Sequence, residues 1–100
     1  MRMSIGEKLK IMRESERLTS LPETAKLLGL NRDALWRYEN GKTIPNAEVI
    51  EKILSHPRFE KYAFWFMTGK TAPESGLIAP ALAHCGQEDG DSDQSEQKVG

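Results

Sequence analysis

Only a few residues around Gly29 are available for this chain to pass from one helical stretch into the next. Upstream, Ser20 and Glu23 make an S-x-x-E capping box, and Pro22 falls in the first turn, where its missing N–H removes no intrahelical bond. Leu21, Ala25 and Leu28 then set one apolar stripe, and Gly29 ends the helix. Downstream, Asn31 can cap a helix that runs through Leu35 and Tyr38 to about Glu39. So short a joint leaves no room for an antiparallel hairpin with full-length packing, and the two helices must cross steeply. A close, steep crossing asks for a small side chain in the first helix, a left-handed turn residue, and an aliphatic plug in the second. Ala25, Gly29 and Leu35 supply these in order.

That geometry is a helix-turn-helix. Elsewhere in the first 70 residues the apolar spacing is helical and no stretch alternates as a strand does, so the expected fold class is all-α, with five helices. Ser4 and Glu7 form a further capping box, and Ile5, Leu9 and Met12 follow at i, i+4 and i+7, which predicts a first helix to about Glu16. Asn40 and Gly41, which tolerate positive φ, stop the third helix. Pro45 and Asn46 restart the chain, and Val49, Ile50, Ile53 and Leu54 stripe a fourth helix. His56-Pro57 breaks it, and a fifth spans about Phe59 to Met67 before Gly69.

Charge divides the chain at Lys70. The whole carries a formal net charge of −1, but residues 1–70 hold 13 basic against 9 acidic side chains, or +4, and residues 71–100 carry −5. A basic module with an acidic tail suits a chain that meets polyanions, although +4 is also ordinary for a soluble surface. The expected organisation is a domain over residues 1–70, then a linker and largely disordered acidic tail over 71–100. The Gly-rich, acidic run at the end buries too little apolar surface to offset chain entropy, so at least the last fifteen residues should be disordered. The more apolar stretch Gly76 to Ala83 reads first as a loosely packed linker and otherwise as an arm folded onto the domain or a neighbour.

Several function classes lack their parts. A 100-residue chain cannot hold a two-domain enzyme with a deep cleft. No apolar run approaches the roughly 18 residues of a membrane span, and the first twenty residues have no continuous apolar core of a secretory signal, so a cytoplasmic protein is expected. Cys85 is the single cysteine, and His56 and His84 lie far apart, which leaves no internal disulfide, no zinc set and no expected cofactor. There is no Gly-rich phosphate loop and no evident carboxylate pair, so the chain is not expected to be an enzyme.

Ala25-Lys-Leu-Leu-Gly-Leu, followed by Trp36-Arg-Tyr-Glu-Asn-Gly-Lys42 and Pro45, resembles the lambda-repressor-like (Xre, or Cro/CI type) DNA-binding domains over roughly residues 5 to 69. Tyr62-Ala-Phe-Trp-Phe-Met-Thr-Gly69 is similar to the last helix of many short phage-type repressors of that family. The resemblance implies a five-helix domain, usually dimeric, that represses transcription by occupying operator DNA. It also implies that Glu39 pairs with an Arg of the first helix, for which Arg13 is the candidate, and that the loop after Glu39 approaches a phosphate through Asn40 and its neighbours. The chain departs from the pattern at Leu21, where the family usually has a Gln that helps contact the DNA backbone. It departs again at Thr24, where a core Leu is usual, and one extra residue separates the first two helices.

Read for its free face, the third helix turns Leu35 and Tyr38 inward and gathers Arg32, Asp33, Trp36 and Arg37 outside, since 32 with 36 and 33 with 37 are i, i+4 pairs. In a major groove, Arg can bind guanine O6 and N7, an apolar edge such as that of Trp36 can meet a thymine methyl, and Asp33 can accept from cytosine N4. The plainer alternatives are an Asp33–Arg37 surface pair, a solvated Arg32 and a core Trp36. Ser20, Asn31, Asn40, Lys42 and Thr43 are short polar or basic groups at helix N-termini or in the following loop, and are candidates to hold the DNA backbone.

The fifth helix is apolar nearly all round, with Phe59, Tyr62, Ala63 and Phe66 on one stripe and Phe64, Trp65 and Met67 on other sides. A module of 70 residues is hard pressed to cover it, so Phe59, Tyr62, Phe64, Trp65, Phe66 and Met67 are expected to form a homodimer interface, the alternative being one large intramolecular core. Two recognition helices about 34 Å apart would read half-sites one turn apart in a two-fold symmetric operator on double-stranded DNA. The competing reading is a protein-interaction module of antitoxin type, in which the same fold grips a protein partner. Such a module has no need of Arg32, Arg37, Lys42 and an Asn-Gly turn together on one side.

Overall fold

Side-chain caps start the first four helices at the places their sequences imply. In the computed structural model, which describes residues 3–86, Ser4 and Glu7 close a full capping box at the head of α1 (Ile5–Ser15). The Ser4 N–H donates to Glu7 Oε1 at 2.9 Å and the Glu7 N–H donates to Ser4 Oγ at 3.1 Å. At α2 (Leu21–Leu28) the hydroxyl half of the box forms, Ser20 Oγ accepting from the Glu23 N–H at 3.3 Å. Asn31 caps α3 (Arg32–Glu39) through two N–H groups, and Asn46 caps α4 (Ala47–Leu54) through that of Val49. Each such cap contributes about 1 kcal/mol by satisfying donors that have no intrahelical partner.

The expected fifth helix divides. A 3-10 turn over Glu60–Tyr62 leads into α5 (Ala63–Thr68), and a short α6 (Ala81–Gly86) follows, so among the described residues six α-helices stand where five were expected. Among the described residues the extended backbone amounts to one antiparallel bridge, between Ala72 and Leu77. The stretch 76–83, read first as a linker, lies instead against the domain. The Ile78 N–H donates to the Lys61 carbonyl, the Leu82 N–H donates to Ser15 Oγ at 3.1 Å, and Pro80 and Ala83 are buried. The acidic run expected to be disordered lies, from Gln87 onward, outside the described residues.

One core results, built from Leu9 and Met12 of α1, Leu28 of α2, Ile53 of α4, then Phe59, Tyr62, Trp65, Phe66 and Ala83. This corrects the interface expected on the aromatic helix. Phe59, Tyr62, Trp65 and Phe66 are each at most 4% exposed within a single chain, because α1, α4 and the returning segment supply the cover that residues 1–70 were thought to lack. Phe64 is half-buried, and Met67 remains 65% exposed.

Polar contacts on one side of α1 tie this core together. Arg13, buried in α1, donates through Nε and Nη2 to the two carboxylate oxygens of Glu39 at 2.8 and 2.9 Å, and through Nη1 to the Leu18 carbonyl at 2.9 Å. The hydrogen bond to Glu39 holds the guanidinium above its ordinary pKa in spite of burial. Three residues on, Glu16 accepts from Tyr62 at 2.5 Å, Lys61 at 2.8 Å and Arg58 at 3.3 Å. Burial alone would raise the Glu16 carboxyl, but the hydrogen bonds from Lys61 and Tyr62 and the charge of Lys61 outweigh it and hold it below the usual carboxylate range. Burial and the bond to Glu16 push the Tyr62 phenol up.

Two outcomes are expected. Arg13→Ala leaves a Glu39 carboxylate, 4% exposed, without its partner, and should cost about 3–5 kcal/mol in denaturant unfolding; a loss under about 1 kcal/mol would show the pair to be dispensable. Glu16 has a folded pKa below its unfolded one, so its contribution is complete above the unfolded value of about 4.3 and is lost as pH falls through the folded value. Thermal unfolding should therefore shift down on acidification below about pH 4.3, and Glu16→Gln should flatten that slope while lowering the midpoint at neutral pH.

Candidate nucleic-acid interface

Gly29 makes the turn that aims α3. It sits at φ 72° and ψ 30°, a left-handed conformation that costs glycine nothing, and the Leu30 N–H beyond it returns to the Ala25 carbonyl at 2.8 Å. Ala25 and Leu35 are buried at the crossing, as their spacing implies. From α4, Lys52 Nζ reaches the Gly29 carbonyl at 3.4 Å, a tie that the sequence did not announce.

With Leu35 turned in and Ala34 and Tyr38 half-buried, α3 exposes Arg32, Asp33, Trp36 and Arg37. All four sequence candidates for base contact thus lie outside, and the alternative of a core Trp36 is set aside by its 47% exposure. Asp33 takes its ion-pair contact from Arg32, Nη1 to Oδ1 at 3.2 Å, rather than from Arg37. Both side chains are well exposed, so the contact orients more than it stabilises.

The backbone-contact candidates divide by what their polar atoms already do. Asn31 Oδ1 is taken by the N–H groups of Asp33 and Ala34, and Ser20 Oγ accepts from that of Glu23. Asn40 donates its side-chain amide to the Trp36 carbonyl at 2.8 Å, so its side chain secures the end of α3. Lys42 and Thr43 present exposed side chains from a loop whose own N–H groups fold back on the Arg37 carbonyl. Beside them Ile44 is 76% exposed, an apolar group that helical periodicity cannot flag because it lies in a loop. Leu21 and Thr24 depart from the resembled pattern without disturbing the helix: Leu21 is half-buried, and buried Thr24 satisfies its hydroxyl on the Ser20 carbonyl at 2.8 Å.

The arrangement is an exposed helix face of two arginines, an aspartate and a tryptophan, followed by a loop with exposed Lys42, Thr43 and Ile44. Among the described residues no group of His, Cys, Asp and Glu is placed to hold a metal ion, and no helix is long and apolar enough to cross a membrane.

Comparison with known proteins gives the same architecture. The chain matches the helix-turn-helix domain family over residues 4–60. It is 47% identical over 97 residues to Repressor protein C of Escherichia phage P2, which covers 97% of both chains. It is also 41% identical over 49 residues to Antitoxin PezA of Streptococcus pneumoniae, a match to 49% of this chain and 30% of that protein. The chain therefore belongs to the helix-turn-helix domain family and is similar, along nearly its whole length, to a phage-type repressor.

Proposed function

We propose that the protein is a sequence-specific DNA-binding repressor that acts as a homodimer on operator DNA in the cytoplasm. The observation that carries this reading is the outward face of α3, where Arg32, Trp36 and Arg37 stand exposed on a helix whose other side is plugged by Leu35. In the major groove the two arginines suit guanine edges and Trp36 a thymine methyl. Asp33 either accepts from a cytosine amine or steers Arg32, with which it is paired. Lys42 and Thr43 reach phosphates, and Asn40, Asn31 and Ser20 act through the helix ends they secure. Repression needs no chemistry, only occupancy of promoter DNA.

Near-complete coverage of a protein named a repressor supports this over the interaction-module reading. The similarity to an antitoxin reaches 30% of that protein and speaks for a shared module rather than for a shared partner.

Selection of duplexes from a random library at about 0.15 M salt, where the phosphate contribution alone is weakened, is expected to enrich one site. Arg32→Ala with Arg37→Ala should abolish the enrichment without unfolding the chain. No enrichment from the folded native protein would overturn the reading. Of the apolar residues left exposed, Met67, Ile78 and Leu82 lie on or after the aromatic helix and, with half-buried Phe64, are the surface we assign to a second copy. Sedimentation should give a dimer at micromolar concentration, and Met67→Asp with Leu82→Asp should give a folded monomer. A folded double variant that still sediments as a dimer would place the interface elsewhere. A two-fold dimer should enrich inverted half-sites about one helical turn apart.

A further inference from the structure

Gly6 lies inside α1, where glycine is the poorer helix former than alanine, and no turn or positive φ calls for it. Its surroundings supply the reason. A Cβ built there would collide with the Tyr38 carbonyl oxygen and lie 2.9 Å from the Glu39 carbonyl oxygen and 3.1 Å from the Glu39 carbonyl carbon. Those are backbone atoms of the last turn of α3, so no side chain can swing aside to make room. Gly6 itself is buried.

The contact brings the first turn of α1, the positive end of its dipole, against the last turn of α3, the negative end of its own. It also places a Gly6 Cα–H against carbonyl oxygens, a weak attraction that a methyl group would turn into a clash. Seven residues along α1, Arg13 grips the Glu39 side chain. The end of α3 is thus held by its backbone at Gly6 and by its side chain at Arg13. Directly beyond that end runs the loop with Asn40, Lys42 and Thr43.

We propose that Gly6 is a positioning residue for DNA recognition: by having no side chain, it sets how closely the end of α3 seats on α1. It thereby sets the angle at which Arg32, Trp36 and Arg37 meet base edges while the loop meets phosphates. The proposal rests on the DNA-binding reading and adds a residue to it that touches no DNA. The two faces must be in register with each other, because phosphate contacts fix the docking from which the base contacts reach. A displacement of α3 against α1 by the width of a methyl group spoils that register and leaves both sets of side chains present.

The test compares wild type and Gly6→Ala on the enriched duplex and on a scrambled duplex of equal length. Circular dichroism and thermal unfolding on each protein establish the folded fraction. Operator affinity of the folded variant should fall about 5- to 100-fold, the span of one lost or misaligned bidentate base contact, while affinity for the scrambled duplex changes less than about threefold because it reports phosphate contacts. A purely structural role would lower the melting temperature and leave that ratio alone. Where the variant is partly unfolded, both proteins are titrated in trimethylamine N-oxide, which favours the compact state. Equal operator affinity once folded, a uniform loss on both duplexes, or a variant that no osmolyte folds would each overturn the assignment. Failure of wild type to prefer the enriched duplex would instead overturn the DNA-binding reading.

Discussion

The rest of the structure depends on the guanidinium of Arg13. It lies in α1, binds both oxygens of Glu39 at the end of α3, and donates to the Leu18 carbonyl in the segment that leads to α2. One planar group therefore fixes three parts of the chain at once. A buried pair of this kind adds little net stability over an apolar pair of the same volume, since desolvation offsets much of the attraction. What it adds is direction. Two apolar side chains would fill the space and permit α3 to roll, and a roll by one residue would carry Trp36 toward the core and Leu35 toward solvent.

Glu16, three residues on at the C-cap of α1, repeats the device on another partner. Its carboxylate collects Tyr62, Lys61 and Arg58, and the Glu16 carbonyl accepts from Arg58 as well. The chain between α4 and α5 is thereby anchored to the end of the first helix, and the aromatic residues that follow are delivered into the core. The anchors sit on α1 and at its C-cap, which makes that helix the spine against which α3 and the C-terminal segment are separately aligned. The left-handed Arg17, at φ 62°, lies between Glu16 and Leu18 and turns the chain so that both contacts are met.

How much of this was legible in the sequence follows from the range of each interaction. Caps at Ser4, Ser20 and Asn31 and the turn at Gly29 act within a few residues, and their spacing in the chain identifies them. The outward set Arg32, Asp33, Trp36 and Arg37 follows from the helical period once Leu35 is assigned to the core. The pairing of Arg13 with Glu39 spans 26 positions, and family resemblance implies it where no local pattern does. On the aromatic helix, periodicity counts apolar faces but cannot say that 79–83 returns to cover them. Gly6 was invisible for the opposite reason: a glycine in a helix registers as a cost in propensity, and its benefit exists only when α3 has arrived.

An eight-residue helix such as α3 is too short to persist by itself in water. It must also keep most of its side chains free if they are to meet a ligand, and Leu35 is its one fully buried residue. Side-chain packing therefore cannot hold it in the way it holds α1. The structure meets both demands by securing the helix at its ends: Asn31 and the Gly29 turn at the start, with Lys52 on the turn's carbonyl, and Gly6, Arg13 and Asn40 at the finish. Fixing a helix by its termini spares its faces, and a face fixed before binding does not have to be ordered during it. The small residues and polar anchors around α3 thus set how precisely its exposed arginines and Trp36 are presented, although none of those anchors lies on the presented face.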